Sequence, residues 1–276
     1  MTQTIAPRRL EIGNAGFTYG EAGAGPPLVL LHGIGSAARA FDDQCSALAG
    51  SLRVIAWDAP GYGGSTSLAP QSPVARDYAS ALRLFLDGLG IPACHLVGHS
   101  LGALMAASFA ACHPDRILSL TLASVATGQA HLPAAEREKL LGQRLGDIAT
   151  LGPRQMAEQR GPRLLAAAAT PAMIRRVVET MAAVRPDGYA QAARMLASGD
   201  AKADIARLPA GMPVQFIYGD GDVITPPARN IEAASIRPDA PVHIVHGAGH
   251  ALYLERPETF NSLLTDFIAK TGRPSR

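Results

Sequence analysis

The chain has 276 residues, 47% of them apolar and 17% charged, so it can bury a sizeable core and does not read as disordered. Its 25 Lys and Arg against 23 Asp and Glu leave a net charge of +2, too weak a field to recruit nucleic acid or an anionic membrane. The three cysteines (Cys45, Cys94 and Cys112) form no CxxC pair, and their odd number speaks against a disulfide framework.

The opening residues MTQTIAPRRL lack the apolar stretch of a secretory signal; with the cysteine usage, this predicts a cytoplasmic, soluble protein. Arg8–Gly20 reads as an antiparallel hairpin. Short apolar runs then recur at Leu28–Leu31, Arg53–Trp57, Cys94–Val97 and Ile117–Ala123, each bounded by turn residues. They do not alternate in polarity, which is how strands buried on both faces read. Val74–Leu89 and Leu101–Ala111 have helical period, so the rhythm is strand, helix, strand, helix: an α/β fold with a mostly parallel sheet. Gly88–Pro114 has no Asp, Glu, Lys or Arg and is long enough to span a bilayer. Gly90, Pro92, Gly98 and Gly102 interrupt it, and a buried strand followed by a buried helix is predicted instead.

Near Thr127 the rhythm stops. Helix formers fill Glu136–Leu145, Gly152–Ala169 and Pro171–Ala183, and strand-like runs return only at Val214–Tyr218 and Val242–His246. Pro257–Lys270 closes the chain as an amphipathic helix. The expected organisation is a core of residues 1–126 and 209–276 interrupted by a helical cap over 127–208. That cap holds twelve Lys and Arg against eight Asp and Glu, a net +4, leaving −2 for the remainder. Ordinary solvated helix faces account for the excess; the sharper alternative is a lid whose arginines meet an anionic substrate.

Gly98-His99-Ser100-Leu101-Gly102 is the central chemical signal. GxSxG alone is weak, but here it directly follows a buried strand and precedes an Ala-rich helix. A serine on so sharp a turn has a strained backbone, and the flanking glycines keep side chains clear of it. A serine hydroxyl needs a base, and the base needs an orienting acid. Two loops after late strands supply them: Gly219-Asp220-Gly221-Asp222 and Gly247-Ala248-Gly249-His250. Both aspartates are candidates. Asp222 is preferred because Asp220 stands nearer the strand end, where an Asp commonly holds the turn. Among the eight histidines only His250 combines a glycine-flanked loop with a position after the last strand; His32, His95, His99, His113, His131, His243 and His246 do not. The oxyanion of a tetrahedral intermediate needs donors, and the candidates are the backbone N–H groups of Leu101 and of Ile34 in the His32-Gly33-Ile34-Gly35 loop. No HExxH is present, so no metal and no other cofactor is expected. Cys94, Cys112, Trp57, Met105 and Phe109 read as core, and Asp58 as a turn residue that holds backbone N–H groups.

HGIG at 32–35, DAPGYGGS at 58–65, GHSLGA at 98–103, GDGDVITP at 219–226 and GAGHALYLERPE at 247–258 together resemble the α/β-hydrolase superfamily, landmark by landmark and in order. The resemblance implies an eight-stranded sheet, Ser100, Asp222 and His250 as a triad, and residues 127–208 as the family's cap. Within the superfamily the chain is similar to 3-oxoadipate enol-lactonases, to ring-cleavage-product hydrolases and to carboxylesterases. The expected activity is therefore serine-dependent cleavage of a small, optionally anionic ester or lactone, with no nucleic acid or membrane partner. Carbon–carbon cleavage and perhydrolysis run on the same constellation, and a ligand receptor on a hydrolase scaffold is the alternative from another class. Ser100 excludes the relatives that place an Asp at this turn.

Overall fold

A computed structural model describes residues 4–271. The hairpin forms as expected from β1 (Pro7–Ile12) and β2 (Ala15–Ala22), turning at Gly13 with φ 58. The apolar runs become β3 (Pro27–Leu31), β4 (Arg53–Trp57), β5 (Cys94–His99) and β6 (Ile117–Ala123), and later β7 (Val214–Gly219) and β8 (Val242–Val245). All eight join one sheet in the order β1-β2-β4-β3-β5-β6-β7-β8, antiparallel at β1, β2 and β4 and parallel from β4 through β8.

Alternation within β3 shows why such strands carry no polar face. Leu28 and Leu30 enter the core on one side of the sheet, while Val29 and Leu31 enter the core on the other. One face is covered by α1 (Asp42–Leu48), α9 (Leu252–Glu255) and α10 (Pro257–Thr271), through Cys45, Leu252, Phe260 and Leu264. The other is covered by α2 (Ala75–Gly88) and α3 (Leu101–Cys112), through Leu82, Phe85, Met105 and Phe109. Gly88–Pro114 is thus the end of α2, β5 and α3, and among the described residues no helix is long and apolar enough to cross a membrane. Trp57 and Cys94 are buried as expected, but Cys112, on the last turn of α3, is exposed.

Between β6 and β7 run α4 (Ala134–Arg160), α5 (Pro171–Ala182), α6 (Pro186–Ser198) and α7 (Ala201–Ala206). The single helix expected over Gly152–Ala169 does not exist. Gly152 takes φ 67 inside α4, and Pro153 follows it without an N–H to donate, so the helix bends there. α4 ends at Gly161-Pro162 in a short 3₁₀ turn, Gly161–Leu164, and the alanines at 166–169 are not helical. Their propensity is overridden because nearby backbone groups bond elsewhere: Leu164 O accepts from Ala251 N (2.8 Å), and Ala166 N donates to Glu255 Oε1 (2.7 Å). The N-terminus of α6 meets the loop after β4 backbone to backbone. A Cβ on Gly188 would collide with the carbonyl of Gly61, itself at φ 84.

Candidate active site

Ser100 sits between β5 and α3 at φ 57, ψ −116, one of two non-glycine residues with positive φ among those described. The surroundings over-determine this strain. Ser100 N donates to Ala123 O (2.9 Å), while Ser100 O accepts from Ala103 N (3.0 Å) and Ala126 N (3.2 Å). Glycine is required on both sides: a Cβ on Gly98 would strike Gly102 O, and one on Gly102 would strike Leu31 O. The turn places the hydroxyl at the N-terminus of a twelve-residue helix, where the dipole favours negative charge.

His250 and Asp222 lie on the loops after β8 and β7. His250 Nδ1 is 2.8 Å from Asp222 Oδ2, and both residues are buried. Asp222 Oδ1 accepts from the N–H groups of Ile224 (2.8 Å) and Thr225 (2.9 Å), and Oδ2 also accepts from the Thr225 hydroxyl (2.8 Å). Burial pushes the Asp222 pKa up, but the hydrogen bond and charge of His250 and the Thr225 donors outweigh it and hold the pKa at about 2. The ionised carboxylate therefore accepts a hydrogen bond from the Nδ1–H of His250, which leaves Nε2 as the unprotonated nitrogen. Asp220 does what its place at the strand end suggested. It is mostly exposed, accepts from Gly247 N (2.8 Å) and pairs with the exposed His246 (3.0 Å).

Ser100 and His250 border the same cavity, of about 360 Å³. No hydrogen bond joins Ser100 Oγ to His250 Nε2 among the described residues; such contacts commonly tighten only when substrate binds. Gly33 lies directly against the serine, where a Cβ would be 2.9 Å from Ser100 Cβ and 3.3 Å from Oγ. Ile34 borders the cavity next to it, and among the described residues neither the Ile34 nor the Leu101 N–H has a partner. Leu101 N is the first donor of α3 and has no intrahelical acceptor.

His32 and His95 take structural places. His32 Nε2 accepts from Ala59 N (3.1 Å), so its Nδ1–H donates to Gly33 O (2.9 Å) and braces the loop beside the serine. His95 meets Ser119 Oγ at 2.8 Å. Asp58 holds one backbone N–H, that of Ala38 (2.8 Å), and its second oxygen accepts from Thr18 Oγ1 (2.7 Å).

Four supporting residues were not anticipated. His99 Nε2 donates to His250 O (2.7 Å), and burial followed by repulsion from His250 drives the His99 pKa down to about 3. Thr225 braces Asp222, as described. Buried Asn230 ties the acid loop to the segment after β6, donating to Thr225 O (2.7 Å) and accepting from Val125 N (2.8 Å). Glu255, also buried, accepts from Gly249 N (2.7 Å) beside His250 and from Ala166 N on the segment after α4. A carboxylate directly after the apolar run Ala251–Leu254 was the available signal for Glu255.

The eight-stranded sheet and the strand-to-helix serine turn define a class. Residues 26–257 match the α/β hydrolase fold family, and the chain belongs to it. It is similar to the dihydrolipoyllysine-residue acetyltransferase component of the acetoin cleaving system of Pseudomonas putida, 31% identical over 97% of this chain and 70% of that one. It is also similar to the putative carbamate hydrolase RutD of Variovorax paradoxus, 30% identical over 91% of this chain and 94% of the relative. Among solved structures, the enol-lactonase of Burkholderia xenovorans LB400 superposes with a TM-score of 0.84 at 22% identity, covering 95% of this chain and all of that one. The protein is an enzyme of the hydrolase class.

Proposed function

We propose that the protein is a serine hydrolase of small carboxylic esters or lactones, with residues 127–208 forming a cap over a core of residues 1–126 and 209–276. One observation carries this reading: His250, held through Nδ1 by Asp222 and with no Nε2 partner among the described residues, borders the same cavity as strained Ser100. His250 Nε2 takes the hydroxyl proton as Ser100 Oγ bonds to the acyl carbon. Asp222 holds the imidazole in its tautomer and stabilises the imidazolium. The Ile34 and Leu101 N–H groups receive the oxyanion. When the intermediate collapses, the bond to the leaving oxygen breaks and His250 returns the proton to that oxygen, leaving Ser100 acylated. Water, deprotonated by His250, then attacks the acyl carbon and regenerates the serine. A lactone follows the same steps with its leaving alcohol still attached through the acyl chain. The free thiols Cys45, Cys94 and Cys112 support a reducing, cytoplasmic setting.

Ser100→Ala tests the proposal. Turnover of p-nitrophenyl butyrate is expected to drop by roughly 10⁴-fold or more while circular dichroism is unchanged. Retained turnover refutes the assignment. A burst of p-nitrophenol that stalls after one equivalent identifies a receptor instead of an enzyme.

A further inference from the structure

The walls of the cavity are electrically one-sided. Four arginines border it, Arg144, Arg160, Arg163 and Arg176, and no Asp or Glu is among its lining residues. Two are neutralised from outside: Arg160 by Asp147 and Arg176 by Asp43. Among the described residues, the side chains of Arg144 and Arg163 make no hydrogen bond or ion pair. A second observation sharpens this. Arg176 uses Nη1 on Asp43, while its Nη2 is buried without a partner. Buried guanidinium donors are normally satisfied, so an orphaned one on a residue that lines a cavity points to an acceptor that arrives with a ligand.

We infer that the substrate carries a second, ionised carboxylate remote from the scissile carbonyl, bound by Arg176 Nη2 with Arg163 and Arg144. This rests on the serine-hydrolase reading for the scissile bond, but the anion site stands on its own residues. A cavity near the lower end of the usual ~300–1,000 Å³ range favours a compact half-ester of a short dicarboxylic acid, or its lactone, over a long acyl chain. Planar carboxylate suits the guanidinium fork, which binds two oxygens in parallel. The acid end sits among the arginines, and the carbonyl end reaches Ser100.

Two measurements separate this inference from the reading beneath it. The first compares kcat/KM for mono-p-nitrophenyl glutarate and p-nitrophenyl valerate, near-isosteres differing in the terminal charge. The acid is expected to be preferred by about tenfold or more, mainly through KM, and raised salt should erode that preference. Arg163→Gln with Arg144→Gln should lower the acid-to-neutral ratio by about tenfold, and Arg176→Lys, which keeps the charge facing Asp43 but removes the fork, should also lower it. An unchanged ratio, or preference for the neutral ester, overturns the inference. The second is calorimetric titration of the Ser100→Ala protein with glutarate, and in parallel with inorganic phosphate. Glutarate binding lost in the arginine variants supports the site even if no ester is turned over, in which case only the hydrolytic reading fails. Neutral-ester turnover without glutarate binding leaves hydrolysis standing and removes the anion site. Tighter binding of phosphate than of glutarate overturns the carboxylate assignment.

Discussion

Ser100, at the N-terminus of α3, and helix α4 border the same cavity, and the two helices are built in opposite ways. Ten of the twelve residues of α3 are buried, against three of the twenty-seven in α4. α3 is held between sheet and helices, and its first turn fixes Ser100 and Leu101, the proposed nucleophile and oxyanion donor. α4 is largely solvated and brings two of the four arginines that border the cavity, Arg144 and Arg160. In the proposed enzyme, chemistry therefore sits where the packing tolerates no movement, and recognition sits where side chains can be exchanged at little loss of stability. Dense cores respond to a single added methylene, whereas surfaces away from special features change by a few tenths of a kcal/mol.

The same substitution in the two helices gives the strongest way to break this contrast. Gly102→Ala pushes a Cβ into the carbonyl of Leu31 in a region with no room to yield. It should destabilise the protein by about 3 kcal/mol, read as a lower urea midpoint, and abolish ester turnover. Next in size is Glu255→Gln, which spans both regions. An amide accepts through only one of its two terminal atoms, so either Gly249 N or Ala166 N loses its partner. The expected loss is about 1–3 kcal/mol, together with a roughly tenfold fall in kcat at little-changed KM, because His250 is then less firmly held. A KM effect alone would instead assign Glu255 to substrate binding.

Protonation gives a smaller, graded effect. In the folded protein His99 takes up a proton only near pH 3, against an ordinary 6.5, so between these values the unfolded chain binds the extra proton and stability falls as pH is lowered. Asp42 opposes it. Burial raises its pKa to about 6, so the folded state holds that proton and stability falls as pH rises from 3.8 to 6. Thermal midpoints measured from pH 7 to pH 4 should therefore show a shallower slope in His99→Gln and a steeper one in Asp42→Asn. Smallest of all, and opposite in sign to the α3 substitution, is Gly142→Ala in α4. No heavy atom lies within 4 Å of the added methyl, and the variant should gain about 0.5–1 kcal/mol.

The parts legible in the sequence are those whose physics is local. Unbroken apolar runs announce strands covered on both faces, and a serine between glycines after such a run announces a strained turn. Asp222 was separable from Asp220 because an Asp at a strand end has backbone to hold, which Asp220 does through Gly247 N. What stayed hidden depends on contacts far along the chain. Nothing near Ala166 says that its N–H will meet Glu255, 89 positions away, so an alanine run was read as helix. Asn230 is likewise unremarkable in sequence, 105 positions from the Val125 N–H it satisfies. Cys112 was read as core from its Ala-rich neighbours, but the helix turns its last residue to water. The net +4 of residues 127–208 read as ordinary solvated helix faces, with a lid over an anion as the alternative, and charge alone could not say which arginines border the cavity.

The bend at Gly152 gives those arginines a common target. In a straight helix Arg144 and Arg160 would stand about 24 Å apart along the axis, far more than a small cavity spans. Folded at Gly152, the two arms work like the jaws of a caliper, and the Arg160–Asp147 pair, reaching across the bend, sets the opening. The hinge glycine touches nothing within 4 Å of where a side chain would begin, so residues could be inserted or removed in one arm without disturbing the sheet. A change of one helical turn there would slide one jaw by about 5 Å, giving natural variation or an engineer a way to reset the width of the cavity.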